Sequence, residues 1–212
     1  MKSNIGKMEK LLKIPYKVFN DWNLLQRFLE RRGNPRYELI GDVNLSNQDD
    51  IFDLGNLVNI DGNLNLSDSY IKSLGALKYV NGDLLLYNTE IEFLTNLEYV
   101  VGDLILYNSP IVSLGNLIQV VGDLHLGATP IQSLGNLEYV GEILHISWSE
   151  IKSLGNLKYA GSIDMEGTEI KSFGNLNAVG NVIYISETNE LPEEEINKFK
   201  DKIQYPSDMN PF

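Results

Sequence analysis

The sequence contains no cysteine, and this absence excludes two ways of stabilising a fold. Disulfides and thiolate metal sites both require the cysteine sulfur. Because disulfides are common in secreted proteins and rare in the cytosol, a chain without cysteine fits a reducing compartment. We therefore expect a cytoplasmic protein.

Long apolar runs are absent as well. No segment approaches the roughly 18 consecutive apolar residues that indicate a membrane-spanning helix. Residues 1–19 lack the apolar run, about seven residues or longer, of a secretory signal peptide. Apolar residues still make up 43% of the 212 residues and charged residues 22%, as in an ordinary globular protein. The sequence predicts one buried domain or one continuous repeat array, without membrane contact.

Positive charge is scarce over most of the chain. Residues 1–36 carry nine Lys or Arg against three Asp or Glu, a net charge of +6. Residues 37–212 carry eight against 26, a net charge of −18, and residues 79–151 contain nine carboxylates and no Lys or Arg. Such a surface repels a phosphate backbone, because nucleic-acid affinity comes largely from cationic contacts. We expect no nucleic-acid partner, interpret the basic N-terminal segment as a solvated tail, and expect a protein partner with a basic or amphipathic surface.

Catalytic motifs are missing too. The sequence has no GxSxG nucleophile turn, no glycine-rich phosphate loop and no HExxH zinc motif. We therefore predict a protein that is not an enzyme and has no cofactor.

What the sequence does contain is a repeat of 20 residues. Residues 61–80, 81–100, 101–120 and 121–140 align without a gap, and residues 141–160 keep the period with the glycine moved one place earlier. Residues 41–60 and a degraded last unit extend the pattern to about seven to eight units over residues 40–191. The consensus of a unit is xGDLxLxxTxIxSLGNLxYV.

The apolar places of the unit predict its geometry. Leucines at the fourth and sixth places alternate as one face of a short strand. The apolar residues at the eleventh, fourteenth, seventeenth and twentieth places step by three, which predicts a tight coil. One unit cannot bury its own apolar face, so the units are expected to stack, each strand pairing in parallel with the next.

Three further columns recur at the turns. Ser or Thr at the ninth place is predicted to bond backbone groups that the turn from strand to coil leaves open. Gly at the second place is predicted to make a tight turn into the strand, and Asn at the sixteenth place to support a turn. The columns comprise Ser69, Thr89, Ser109, Thr129, Ser149 and Thr168; Gly62, Gly82, Gly102 and Gly122; and Asn96, Asn116, Asn136 and Asn156.

The stretch LxLxxTxIxSLGNL resembles the leucine-rich repeat, with Thr or Ser where that family usually places Asn. The junction NLEYVVGDL resembles the repeats of receptor L domains, and units of the IKSLGNLKYV kind are similar to uncharacterised bacterial and phage repeat proteins. The resemblance implies a repeat solenoid, a leucine-rich-repeat-like right-handed parallel β-solenoid that is α/β by family. It also implies protein or ligand binding on a concave sheet rather than a reaction. A bacterial or phage protein of this kind is expected to act as an inhibitor or adaptor.

Both ends carry helix signals. Residues 20–33 predict an amphipathic helix with Asn20 or Asp21 as N-cap and Gly33 as its stop. Residues 191–203 predict a second helix with Pro192 near its first turn. Because uncovered sheet edges aggregate, we expect these helices to cap the core. The chain then divides into an N-terminal segment (1–39), the solenoid (40–191) and a C-terminal helix and tail (192–212).

The fifth and seventh places point outward from the predicted strands. They bring an apolar-aromatic block together on two adjacent strands, with histidines on the next two and a tryptophan at the rim. We predict that this surface binds a partner, against the alternative that the block only stabilises the sheet. A small-ligand or glycan binder that stacks its ligand on Tyr87, Tyr107 and Trp148 is the alternative function. The predicted partner-binding residues are Leu85, Tyr87, Ile105, Tyr107, His125, His145 and Trp148.

Three other sets have chemistry to consider. His125, His145 and Asp164 follow one another in the fifth-place column, but a straight ladder holds its outer members about 9.6 Å apart, too far for metal bonds near 2.1 Å. We predict no metal site. Asp83, Asp103 and Asp123 form a second column, interpreted as acceptors for their own turns rather than as a cation site. A third column, at the nineteenth place, lies on the predicted coil at the far side of the solenoid. We interpret it as a stack of rings that stiffens the coil. Its members are Tyr79, Tyr99, Tyr139 and Tyr159.

Overall fold

The computed structural model describes residues 11–186 and 189–205. The predicted repeat array is a parallel β-solenoid of about 8 turns. Each turn places its short strands beside the same residues of the neighbouring turns, so that Leu84 lies opposite Leu64 on one side and Leu104 on the other. The pairing continues from Leu104 to Leu124 and Leu144, and this register is the 20-residue period of the sequence.

The strands form two stacks that run along the solenoid. The first stack comprises β1 (Leu12–Pro15), β2 (Tyr37–Ile40), β4 (Leu57–Asp61), β6 (Tyr79–Val80), β8 (Tyr99–Val100), β10 (Gln119–Val120), the beginnings of β12 (Tyr139–His145) and β13 (Tyr159–Asp164), and β14 (Ala178–Val179). The second comprises β3 (Val43–Asn44), β5 (Leu64–Asn65), β7 (Leu84–Leu85), β9 (Leu104–Ile105), β11 (Leu124–His125), the ends of β12 and β13, β15 (Ile183–Tyr184) and β16 (Ile203–Gln204). Isolated bridges at the thirteenth place, such as Phe93 with Ser113, mark a third line of contact.

The second stack is the strand that the fourth and sixth places predict, whereas the first stack contradicts the prediction of coil around the nineteenth and twentieth places. There the dipeptide Tyr-Val forms a strand of its own, with Val100 buried and Tyr99 turned outward. Tyr and Val both favour extended backbone, and the two-residue strand Tyr99–Val100 pairs with a neighbour on each side. The period-three spacing was therefore a wrong guide at this end of the coil.

The core is the continuous interior between the stacks. In the unit 81–100 all six predicted inward side chains are 0% exposed: Leu84, Leu86, Ile91, Leu94, Leu97 and Val100. The same six places are buried in each of the next two units. The predicted inward places are thus confirmed, and the burial of aliphatic side chains along the whole array is the main stabilisation of the fold.

The ninth-place hydroxyls bond the backbone as predicted. The Thr89 hydroxyl donates to the carbonyl of Leu86 at 2.7 Å, and Thr129 does the same to Leu126 at 2.6 Å. The Asn column bonds the neighbouring turn instead of its own: Asn96 Nδ2 donates to the carbonyl of Gly75 at 2.8 Å. These bonds of the Asn column join one unit to the preceding one.

The glycines at the second place are needed for close approach. A Cβ on Gly102 would lie 2.6 Å from the carbonyl carbon of Gly82, and one on Gly122 would lie 2.7 Å from that of Gly102. Of the four glycines in the column only Gly62 has a left-handed φ, +151°. The predicted tight turn is present, but the main reason for glycine is that successive turns nearly touch there.

The N-terminal end adds a strand, a 3-10 turn and a helix to the array. Strand β1, which the sequence did not predict, extends the first stack by pairing with β2, and Tyr16–Val18 follow as a 3-10 turn. Helix α1 spans Trp22–Glu30, and the Asp21 carboxylate accepts from the Leu24 N–H at 2.8 Å as its N-cap. The buried face of α1, Trp22, Leu25 and Leu29, belongs to the same core as the repeats. Residues 1–10, which hold much of the predicted basic tail, lie outside the described residues.

The C-terminal end is less helical than predicted. Helix α2 spans only Glu193–Lys198, and the chain then forms β16, which continues the second stack beside β15. The Glu195 side chain is buried and accepts a hydrogen bond from the Phe173 N–H at 2.8 Å, at the end of the array where no further turn supplies a partner. Neither α1 nor α2, the helices of the described residues, has the length or apolarity to cross a membrane. The predicted tail at 206–212 lies outside the described residues.

Candidate functional site

The outer face of the second stack is built by residues at the third, fifth and seventh places of successive units. Leu84 and Leu86 point into the core, so Asp83, Leu85 and Tyr87 between and beside them face outward. The same alternation repeats on β9, β11 and β12. We call this surface the outer face; its members over the central units are Asp83, Leu85, Tyr87, Asp103, Ile105, Tyr107, Asp123, His125, Gly127, His145 and Ser147.

The apolar-aromatic half of the outer face lies on β7 and β9. Leu85 and Ile105 are paired neighbours in the strand register. The rings of Tyr87 and Tyr107 stack with centroids 5.3 Å apart and planes 2° from parallel. Tyr107 is 46% exposed. Within residues 11–186 and 189–205 neither of these two hydroxyls has a hydrogen-bond partner in the protein, so both are available to a ligand.

A ladder of carboxylates borders this half. The Asp83 carboxylate accepts from the N–H of Asp103 at 2.9 Å, and the Asp103 carboxylate accepts from the N–H of Asp123 at 2.8 Å. The predicted role as backbone acceptors holds, but the donor is in the next turn of the solenoid rather than in the residue's own turn. One oxygen of each carboxylate is thereby used, and the negative charge stays at the edge of the outer face.

The histidine half lies on β11 and β12. His125 and His145 are paired in register, and their rings stack with centroids 4.1 Å apart. Asp164 follows in the same column, and its Oδ2 lies 3.6 Å from His145 Nδ1. The predicted column of three is therefore present, and its neighbours are in contact.

A more compact set was missed. Asp123, His125 and His145 each offer one ligand atom, and these atoms all lie within 4.8 Å of one another. Asp123 directly precedes β11 and His125 ends it, and their Oδ2 and Nε2 atoms are 3.9 Å apart. The signal was in the sequence as Asp-Leu-His, since residues two apart on a strand share a face. The prediction followed the column between strands and overlooked the neighbour within the strand.

In the histidine half, the surroundings favour the neutral form of His125 and the ionised form of Asp164. Burial, followed by the proximity of His145, holds the pKa of His125 below its ordinary value, against the opposing effect of Asp123. Burial alone would raise the pKa of Asp164, but the nearby His145 imidazole and the Glu166 N–H outweigh burial and lower that pKa.

Trp148 stands at the rim of the outer face and is 72% exposed. Its backbone is left-handed, with φ +59°, a region that bulky residues rarely adopt. The ring lies against Gly167, where a Cβ would come within 2.6 Å of it. The remaining surface of the indole faces solvent, in agreement with the predicted rim position.

The tyrosines of the nineteenth place stack in pairs, as predicted, but on the first stack rather than on a coil. Tyr79 and Tyr99 have centroids 5.4 Å apart, and Tyr139 and Tyr159 have centroids 5.1 Å apart. The Tyr79 hydroxyl donates to Glu98 at 2.9 Å, and Lys78 pairs with the same carboxylate. The Tyr79 hydroxyl is therefore bonded to an ion pair, unlike the hydroxyls of Tyr87 and Tyr107.

No protein-family model, curated protein or solved structure matches this chain. A functional proposal therefore rests on the repeat architecture and on the chemistry of the outer face.

Proposed function

We propose that the chain is a non-catalytic binding protein whose outer face binds a protein partner with a basic or amphipathic surface. The proposal includes a cytoplasmic location, a leucine-rich-repeat-like origin for the solenoid, and end segments that act as caps. The observation that carries it is the stacked pair Tyr87–Tyr107 beside Leu85 and Ile105 on paired strands, with Tyr107 exposed and the other three side chains half-buried.

Aromatic and aliphatic side chains that keep part of their surface in solvent on adjacent strands support binding over a purely structural role. Tyrosine offers large contact area with little loss of rotamer freedom, and it is enriched in protein interfaces. Cross-strand packing alone does not need a hydroxyl, and the free hydroxyls of Tyr87 and Tyr107 remain for a partner's polar groups. The strained, exposed Trp148 adds a second aromatic contact at the rim.

The charge distribution supports the choice of partner. Residues 79–151 contain no Lys or Arg. Lysines just outside this window neutralise carboxylates beside the first stack, as Lys78 does with Glu98 and Lys158 with Glu138. No lysine pairs with the Asp83–Asp103–Asp123 ladder within the described residues. The uncompensated charge therefore lies beside the apolar-aromatic half, where it attracts a basic surface.

A matched pair of double variants tests the proposal. A partner is first recovered by pull-down from the native host, and its affinity is then measured by calorimetry with purified protein. Replacing Tyr87 and Tyr107 by Ala should weaken binding by about 2 kcal/mol or more if they are hot spots. The control replaces Tyr139 and Tyr159, whose rings form an equivalent stacked pair on the other set of strands. It should leave the affinity for the partner unchanged. Circular dichroism and thermal unfolding check that both variants fold. Loss of binding in the control alone would refute the choice of face.

The charge is tested without disturbing the ladder. Asn63 already fills the Asp place in its unit, and its side-chain oxygen accepts from the Asp83 N–H at 2.8 Å. Asp83→Asn with Asp103→Asn therefore removes two charges and keeps the backbone bonds. We expect slower association and a weaker salt dependence, with little change in dissociation. An unchanged association rate would contradict electrostatic steering.

The exposed Trp148 favours a second candidate, a small-ligand or glycan binder that stacks its ligand on the indole. Trp148→Ala distinguishes the two functions. A stacked ligand should lose nearly all affinity, whereas a protein bound across the outer face should lose only part of it.

A further inference from the structure

The histidine half of the outer face contains a set of side chains whose combined chemistry goes beyond the proposed protein binding. Asp123, His125 and His145 converge from two adjacent strands, with ligand atoms all within 4.8 Å of one another. The Asp123 carboxylate and the His125 imidazole are 3.9 Å apart, beyond hydrogen-bond distance. The three groups therefore meet around a point without being bonded to each other there.

We propose that Asp123, His125 and His145 form a binding site for a divalent transition-metal ion of the Zn²⁺ class. Two imidazoles and one carboxylate are ligands that such ions prefer, whereas Ca²⁺ and Mg²⁺ prefer oxygen alone. Metal bonds of about 2.0–2.2 Å place tetrahedral ligand atoms about 3.4 Å apart. The three side chains must therefore close by about 1 Å around the ion, and at 27–31% exposed they have room to rotate.

Neighbouring groups already orient these ligands. The N–H of Ile143 donates to Asp123 Oδ1 at 2.7 Å, which leaves Oδ2 turned towards His125. Asp164 Oδ2 lies 3.6 Å from His145 Nδ1, so the other ring nitrogen of His145 is the one left for the ion. A carboxylate behind a metal-binding histidine is a recurrent arrangement that raises metal affinity. Asp164 is thus a positioning residue in this site rather than a ligand.

The seventh place provides access. Where the apolar-aromatic half carries Tyr87 and Tyr107, the histidine half carries Gly127 and Ser147. These small residues leave the imidazoles open to solvent on the outer side. Three protein ligands with one open position are the pattern of a zinc site that keeps a water molecule.

The test titrates the full chain with Zn²⁺ in calorimetry, followed by NMR of the imidazole signals. The chain has only two histidines, so only two imidazole signals need to be assigned. We expect saturable uptake of one ion per chain with both imidazole signals shifted. Ca²⁺ should not compete. Zn²⁺ uptake that Ca²⁺ displaces would instead indicate a hard-cation site on the carboxylates and overturn the proposal.

Variants that copy other units keep the fold intact. The fifth place is leucine in the unit of Leu85, so His125→Leu and His145→Leu are compatible with the stack and should each abolish uptake. Asp123→Asn retains the acceptor for Ile143 and should also abolish it. Asp164→Asn should weaken binding by about 10–100-fold while both imidazole signals still shift. The control, Asp83→Asn, changes an equivalent ladder residue away from the histidines and should have no effect.

Two further results would overturn the site. One is the absence of saturable Zn²⁺ uptake by the unmodified chain. The other is uptake that persists when both histidines are leucine, which would mean that the acidic surface binds the ion without them. Because no partner is present in these measurements, their failure would leave the proposed protein binding untouched.

Discussion

The interior of the solenoid and its two ends are stabilised in different ways. Inside, the same bonds between neighbouring units recur, such as Asp83 to the Asp103 N–H and Asn96 to the Gly75 carbonyl. At the ends each bond occurs once, as with the Asp21 N-cap and the Glu195 carboxylate on the Phe173 N–H. Interior stability is therefore shared among equivalent contacts, whereas each end depends on a few individual residues.

Deletions should show the largest difference between the interior of the solenoid and its ends. Removing residues 81–100 takes out one unit and joins Val80 to Val101, which restores the order of the columns. We expect this shortened chain to stay soluble with similar circular dichroism per residue, because each unit contacts only its neighbours. Removing residues 191–212 takes away α2 and β16, leaves the edge of β15 uncovered and should cause aggregation. Light scattering measures the aggregation of each shortened chain and circular dichroism its folding. If the internal deletion unfolds the chain and the C-terminal deletion is harmless, the register of the repeats is wrong.

A single methyl group in the interior should have the next largest effect. Gly102→Ala places a Cβ 2.6 Å from the carbonyl carbon of Gly82, so the two turns must separate. We expect a loss of about 3 kcal/mol in the free energy of unfolding, as for severe overpacking. The matched control is Gly135→Ala, where no atom lies within 4 Å and only the left-handed φ of +58° is strained. It should cost about 1 kcal/mol. Equal losses would mean that the turns are not held by close approach.

At the C-terminal end, Glu195→Ala should cost about 2 kcal/mol, because it leaves the buried Phe173 N–H without an acceptor. Urea unfolding measures the loss, and Glu193→Ala on an exposed face of the same helix is the control. A loss no larger than that of the control would contradict the capping role.

The same carboxylate makes the end sensitive to acid. Burial opposes its ionisation, but Lys198 and the Phe173 N–H outweigh burial and hold the pKa of Glu195 below its ordinary value. Its contribution is therefore fully present above the pKa of the unfolded chain, about 4.3, and is lost as the pH falls through the lower pKa of the folded state. Glu195→Gln should therefore reduce the change in the free energy of unfolding over this range of pH.

The smallest effect should be a gain. Thr95 stands in the fifteenth-place column, which is otherwise glycine, with φ +41°. Thr95→Gly should stabilise the protein by about 0.5–1 kcal/mol, since left-handed backbone with a Cβ costs roughly 1–2 kcal/mol and glycine's extra chain entropy offsets part of this. The converse, Gly155→Thr at φ +56° with open space around it, should destabilise by a similar amount. Thermal unfolding of the two variants measures these changes in stability. A loss of stability in Thr95→Gly would show that the threonine side chain makes a compensating contact.

The difference between interior and ends also explains what the sequence could predict. The repeated places identified the core, the second stack and the outward columns, because each signal recurs in several units. Strands β1 and β16 were missed because they occur once and lie outside the repeats. The first stack was missed because a two-residue strand is too short to show an alternation of its own in the sequence and forms by pairing with neighbouring turns. At the candidate site, the side-by-side histidines followed from the period, but the role of Asp123 depended on which neighbour its carboxylate turns to.

The two tryptophans report on these regions separately. Trp22, on the buried face of α1, is 8% exposed, and Trp148 is 72% exposed at the rim of the outer face. Indole fluorescence shifts to the red in water, and an aqueous quencher reaches only an exposed ring. Iodide should therefore quench Trp148 alone in the native protein, and a partner on the outer face should shield it. Loosening of the N-terminal end would instead make the blue emission of Trp22 quenchable. The molecule thus carries an intrinsic optical probe that distinguishes occupation of its surface from fraying of its end.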